Sequence, residues 1–436
     1  MLFKTAAVTI ALFQIAELAQ AATSTKKAVA TTSKASDYWK SFNATVDPLT
    51  LTVPKIAQTT SYDEATECTY YQPTNFVFNA KEWPNMWETA TSNGMNTSAE
   101  FKALYDTLDW ANAPNITVRK LTASGGLDMT GYDAVNDPDC WWSASTCTIP
   151  KHENVNADIY TCPEPETWGL TYDDGPNCSH NAFYDYLEQQ KLKASMFYIG
   201  SNVVNWPYGA QRGLVDGHHL ADHTWSHQLM TTLTNQEVLA ELYYTQKAIK
   251  MVTGVTPLHW RPAFGDVDDR VRWIASQLGL TTILWDLDTD DWAAGYNEPV
   301  TTVQKTYEDF IQMGSNGTFK NSGQIVLTHE INNTTMTLAM DFLPKIQAAY
   351  KNVIDVATCM NITQPYHETT VTRAAFDGSA TASTSSGAAA SGAAASGSAS
   401  SAASGIAANA ASTSAGVHVS PNALILAAAA VAAYVF

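Results

Sequence analysis

ASMFYIG (194–200) and LTNQEVLAELYYTQKAIKMVTG (233–254) decide the fold. The first is a short apolar run closed by glycine and reads as a buried strand. The second places Thr234 and Glu237 at capping-box spacing. It sets Val238, Leu242, Ile249 and Val252 on one helical face and stops at Gly254. GDVDDRVRWIASQLGL (265–280) repeats the helical scheme, with Asp266 as cap, Val271, Ile274, Ala275 and Leu278 inward and Gly279 as stop. TTILWDLD (281–288) and GQIVLTHE (323–330) read as further strands, and the 334–351 region as another helix. Alternation of this kind over residues 161–360 predicts an α/β domain on a parallel sheet, open or closed. In parallel barrels the chemistry gathers at the C-terminal ends of strands. Asp173, Asp174, Arg261, Asp288 and His329 fall at such ends.

The flanks of that domain differ in character. Residues 61–160 carry Trp83, Trp87, Trp110, Trp141 and Trp142 with weak periodicity. We read them as a loop-rich extension wrapped on the main domain, its tryptophans packing as core rather than stacking on sugars. Residues 22–60 are rich in Thr, Ser, Ala and Lys and read as a flexible leader. Before them, Met1–Ala21 has one Lys, an apolar run and an Ala-Gln-Ala site, the pattern of a cleaved secretory signal. At the other end, residues 378–416 are almost all Ala, Ser, Gly and Thr, a stalk with no side chains to build a core. ALILAAAAVAAYVF (423–436) closes the chain. Small residues, a spacer and an apolar tail over 410–436 predict a GPI-attachment signal, with attachment at Asn409. These signals predict secretion and anchoring to the plasma membrane at the cell surface or wall.

The net charge of -18 argues against nucleic acid as a partner, since phosphate binding needs a basic surface. Six cysteines fit an oxidising compartment and leave the pairing open. Asn43, Asn96, Asn115, Asn177, Asn316, Asn332, Asn333 and Asn361 each open an N-x-S/T sequon, candidates for surface glycosylation.

The chemistry-bearing residues form a hydrolytic inventory. His223 and His227 lie four apart, so one turn or tight loop can aim both at one point. Two imidazoles and a carboxylate make a sound set for a divalent metal. Hydrolysis of an amide or ester also needs a base for water, a stabilised oxyanion and an acid for the leaving group. Asp173, Asp174 and His329 can share those tasks. The sequence has no G-x-S-x-G elbow, no H-E-x-x-H and no phosphate-cradling loop.

Five ordered segments carry a resemblance: TYDDGP (171–176), HTWSH (223–227), RPAFG (261–265), DTDDW (288–292) and LTH (327–329). They resemble the motifs of the polysaccharide deacetylases of carbohydrate esterase family four. With the secretory and GPI signals and GDVDDRVR after the third motif, the chain is similar to fungal chitin deacetylases. The resemblance implies a distorted (β/α) barrel of seven or eight parallel strands. It implies that Asp174, His223 and His227 hold a divalent metal, Zn2+ foremost with Co2+ as alternative. Asp173 would be the general base, positioned by Arg261. His329 would be the general acid, supported by Asp288, with Asp291 as the fallback. Phe264 would offer its backbone N–H to the oxyanion, and Trp292 and Leu327 would line the slot for the acetyl methyl. The third motif departs from the usual Arg-x-Pro-Tyr, but a backbone donor survives loss of the Tyr hydroxyl. The resemblance further implies Cys178–Cys359, with Cys140–Cys147 as a small loop and Cys68–Cys162 pinning the extension. The expected reaction is removal of N-acetyl groups from chitin or chito-oligosaccharides. The alternatives are an O-acetyl esterase on another glycan and a non-catalytic chitin-binding wall mannoprotein. The complete residue set speaks against the last.

Overall fold

The computed structural model describes residues 34–54, Cys68, Thr74 and 76–378. The signal, the stalk beyond residue 378 and the GPI segment with Asn409 lie outside the described residues. Eight parallel strands form one sheet: β1 (Thr167–Gly175), β2 (Ser195–Tyr198), β3 (His219–Asp222), β4 (His259–Trp260), β5 (Thr281–Thr282), β6 (Leu287–Asp288), β7 (Gln324–Leu327) and β8 (Asn352–Ile354). Their order is β5-β4-β3-β2-β1-β7-β6, and β8 lies beside β1. Helices fill the connections except that from β5 to β6, which are not paired with each other.

The segment expected as one strand, TTILWDLD, is two. Its first residues pair with β4 and its last with β7, so it bridges the two sheet edges and closes the barrel. Between them the extension supplies the missing partner: Ile159 bridges Ile283, donating to the Thr282 carbonyl at 2.9 Å and accepting from Leu284 at 2.8 Å. The barrel is therefore distorted at this seam and patched from outside.

The Asn235–Thr253 helix has the expected capping box, with Thr234 accepting from the Glu237 N–H, and ends at Gly254 with φ 86°. It is buried nearly all round, although its sequence shows a narrower apolar face. The extension explains the difference. Phe101 and Phe42 pack edge-on to Tyr243 at 5.7 and 5.2 Å. Phe42 belongs to a 3-10 helix, Lys34–Phe42, so this part of the expected leader packs on the barrel. Trp83, Trp141 and Trp142 are buried, as core packing requires, whereas Trp87 and Trp110 are half-buried. The Asp269–Gln277 helix is capped by Asp268, which accepts from Val271 at 3.0 Å, and not by the expected Asp266. Asp266 is committed elsewhere: its carboxylate accepts from Trp141, Ser143 and Thr231.

The disulfides are Cys68–Cys178, Cys140–Cys147 and Cys162–Cys359. The implied Cys178–Cys359 and Cys68–Cys162 pairings are corrected. Cys162 precedes β1 and Cys359 ends the helix after β8; since β1 and β8 are neighbours, these two meet. Cys178 lies past the opposite end of β1, where the extension brings Cys68. Asn43, Asn115, Asn316, Asn332, Asn333 and Asn361 are exposed, whereas Asn96 and Asn177 are half-buried.

Candidate active site

The site begins with the end of β1. Alternation along a strand would send Asp173 and Asp174 to opposite faces. The β1–β2 register slips between Asp173 and Gly175, and Asp174 takes φ 75°. This bulge turns both carboxylates toward one cavity. Gly175 follows because a Cβ there would collide with the buried Glu330 carboxylate.

Asp173 is buried and accepts from Arg261 Nη1 at 2.7 Å. Arg261 is itself wholly buried. It also donates to Thr171 Oγ1 at 3.0 Å and to the Ile283 and Leu284 carbonyls at 3.3 and 3.2 Å. Those carbonyls belong to the barrel seam, so the seam fixes the arginine and the arginine fixes Asp173. Burial lowers the Arg261 pKa, with the Asp173 charge opposing that shift.

Asp174, His223 and His227 converge beside it. Their ligand atoms all lie within 4.8 Å of one another. Asp174 Oδ1 is 3.4 Å from His223 Nε2 and 3.2 Å from His227 Nε2. Two ligand atoms on one tetrahedral zinc lie about 3.3 Å apart, given bonds near 2.0–2.1 Å. Asp174 Oδ1 is buried with no hydrogen-bond partner among the described residues. His223 Nδ1 is 2.8 Å from the Arg261 carbonyl oxygen, which can only accept, so Nδ1 carries the proton and Nε2 is left as a ligand. These residues fit a divalent cation. Burial pushes the Asp174 carboxyl up, but the His227 and His223 rings outweigh it and hold it well below the usual carboxylate range. Burial pushes His227 down to about 4, which keeps it neutral and able to ligate.

His329 faces this group from β7, bridged by backbone to Asp173. Its Nδ1 lies 2.6 Å from Asp291 Oδ1, and its N–H donates to Asp291 Oδ2 at 2.9 Å. Burial pushes the imidazole down. The charges of Asp291, Asp174 and Asp173 outweigh that and raise it to about 10. The expected partner Asp288 is corrected to Asp291. Asp288 instead accepts from the Asp290 N–H at 2.9 Å. Asp290 takes φ 56°, and this left-handed turn swings Asp291 inward. Burial, with the Asp290 charge adding to it, pushes Asp288 up to about 7.

Phe264 has φ 58° and places its ring 4.5 Å from that of His227. Trp292 is half-buried in the turn just after Asp291, and Leu327 is buried two residues before His329. Sequence reasoning missed Glu330, whose carboxylate lies 2.6 Å from His180 Nδ1 and accepts from the Tyr184 hydroxyl at 3.1 Å beneath Gly175. It also missed Glu241, which is wholly buried and accepts from Ser226 between His223 and His227. A signal existed: Glu241 lies three residues after Val238, on the helical face read as apolar.

Residues 161–283 match the polysaccharide deacetylase family. The chain is 64% identical over 370 residues to a chitin deacetylase of Amylomyces rouxii, covering 84% of this chain and 85% of that one. It is 49% identical over 317 residues to chitin deacetylase 2 of Cryptococcus neoformans, covering 72% and 69%. The solved chitin deacetylase of Colletotrichum lindemuthianum is similar at 25% identity, with a TM-score of 0.44 over 49% of this chain and 96% of that one. With 64% identity across most of a relative's length, and the family match over residues 161–283, the chain belongs to the polysaccharide deacetylase family.

Proposed function

We propose that this protein hydrolyses the N-acetyl groups of chitin, giving chitosan and acetate. The observation that carries the reading is the pairing of Asp173, held by Arg261, with an Asp174–His223–His227 cluster facing His329. The 64% identity to the Amylomyces rouxii chitin deacetylase supports chitin as substrate.

Asp174, His223 and His227 would hold a divalent cation, Zn2+ foremost and Co2+ as the alternative, which would supply Lewis acidity for the hydrolysis. Asp173 takes a proton from the attacking water. Arg261 holds the carboxylate in place. The Phe264 N–H donates to the oxyanion as the carbonyl carbon becomes tetrahedral. His329, protonated on the side facing the cavity, gives its proton to the departing amine. Asp291 stabilises that imidazolium and fixes the ring. Trp292 and Leu327 bound the space for the acetyl methyl. The mature protein is secreted and GPI-anchored at the cell surface or wall, a reading supported by the two terminal sequence patterns and by three disulfides.

The test is acetate release from chitin oligomers and from acetylxylan, with and without chelator. Chelator-sensitive release from chitin oligomers is expected. Release from acetylxylan alone points to an O-acetyl esterase, and no release from either contradicts a catalytic role. Release of the protein from intact cells by phosphatidylinositol-specific phospholipase C checks the anchor.

A further inference from the structure

The loops that carry the ligands are conformationally costly. Asp174, Thr224 and His227 have φ of 75°, 68° and 54°. None is glycine, and such backbone persists only where its surroundings over-determine it. The barrel alone does not supply all of those surroundings. Much of the support comes from Trp83–Ala90, a stretch of the extension with few of the regular hydrogen bonds of helix or sheet.

Three connections run from this stretch to the ligand loops. Trp87 Nε1 donates to Asn202 Oδ1 at 2.9 Å, and Asn202 Nδ2 donates to the Asp174 carbonyl at 2.9 Å. The Trp87 N–H donates to Ser201 Oγ at 2.9 Å, and Ser201 Oγ donates to the Trp225 carbonyl at 2.6 Å. The Ala90 N–H donates to Glu241 Oε1 at 2.8 Å, and the same carboxylate accepts from the Ser226 N–H and hydroxyl, each at 2.8 Å. Trp225 closes the set from the other side. Its Nε1 donates to the Asn85 carbonyl at 2.8 Å, and its ring stacks on Trp83 at 5.9 Å. Trp225 and Ser226 lie between His223 and His227 in sequence. Asn202, Ser201, Ser226 and Glu241 are all buried, so water is a poor substitute for these partners.

We propose that Trp83–Ala90 is a positioning element for the metal ligands, acting on Asp174 through Asn202 and on the His223–His227 loop through Glu241 and Trp225. The extension is then part of the active centre's frame and not merely a cover for the Asn235–Thr253 helix. Outer partners of metal ligands typically change affinity about 10–100-fold when removed. The inference rests on the proposed metal reading of Asp174, His223 and His227.

The experiment is a Zn2+ titration of the full secreted protein after metal removal, with the melting temperature of the metal-free form measured alongside. The variants are Glu241→Gln, which opposes an NH2 group to a Ser226 or Ala90 donor, and Trp87→Phe, which keeps an aromatic ring and deletes the donor to Asn202. Phe101→Leu is the matched control. Phe101 is buried against Tyr243 and Tyr244, so its change loosens the extension while leaving every one of these hydrogen bonds its donor and acceptor. Glu241→Gln and Trp87→Phe should weaken Zn2+ binding about 10–100-fold. Phe101→Leu should lower the melting temperature with Zn2+ affinity kept. Unchanged affinity in both test variants, or an equal loss in Phe101→Leu at the same melting temperature, overturns the inference. If the wild type binds no Zn2+, the metal reading itself is overturned, whatever the variants do.

Discussion

The site has two halves that are built differently. On one side, Asp174, His223 and His227 sit on left-handed loops braced from outside the barrel. On the other, His329 leaves the end of β7 and is fixed by the two oxygens of one carboxylate, Asp291. The first half needs several buried donors to hold three ligands at one point. The second needs only a single partner, because an acid must be oriented and charged but not shared. The ligand half is thus exposed to changes far from the chemistry, whereas the acid half answers mainly to one residue.

Removing the metal is the strongest way to separate the halves. Chelation should abolish acetate release and leave the His329–Asp291 pair intact; it should also cost fold stability, about 4 kcal/mol where the ion had been at 1,000 times its Kd. Calorimetry with and without chelator checks this. Next in size is Asp291→Asn, which should lower kcat by about 10²-fold or more while Zn2+ affinity stays. Its pH profile has a defined sign. His329 is raised from 6.5 to about 10, so the acid form is lost, and activity with it, as pH rises through that value. Without the Asp291 charge the alkaline limb moves to lower pH. The same pairing stabilises the fold fully below the free imidazole value, and that contribution disappears as pH rises through about 10.

A change that ignores the division comes third. Replacing Cys162 and Cys359 together by Ala should cost about 2–5 kcal/mol of stability by denaturant unfolding, with kcat and metal affinity of the folded fraction unchanged. The smallest effect belongs to Ser143→Ala. It removes one of four hydrogen bonds to Asp266, two residues past Phe264, and should cost about 1 kcal/mol of fold stability by denaturant unfolding, without altering Zn2+ affinity.

The sequence made the barrel and the ligands legible because both leave local signals. The capping box at Thr234 and Glu237 and the apolar strands are short-range patterns. Asp173, Asp174, His223, His227, Arg261 and His329 stand in short motifs at strand ends. What stayed hidden depends on geometry that no spacing encodes. Asp291, not Asp288, meets His329 because Asp290 adopts a left-handed turn. Cys162 meets Cys359 because β8 returns beside β1. TTILWDLD divides because closure of the barrel asks one segment to serve two edges. The extension lacks periodicity because it meets the barrel through single hydrogen bonds and aromatic faces, and neither repeats along the chain.

The central claim is that adjacent carboxylates have separate tasks: Asp174 holds the ion, and Asp173 takes the proton. The most direct measurement is Zn2+ affinity and acetate release for Asp173→Asn and Asp174→Asn in parallel. Asp173→Asn should bind Zn2+ as wild type does and lose about 10²–10⁴-fold in kcat, while Asp174→Asn should lose the ion. Turnover by Asp173→Asn near the wild-type rate, or undiminished Zn2+ binding by Asp174→Asn, would contradict that claim.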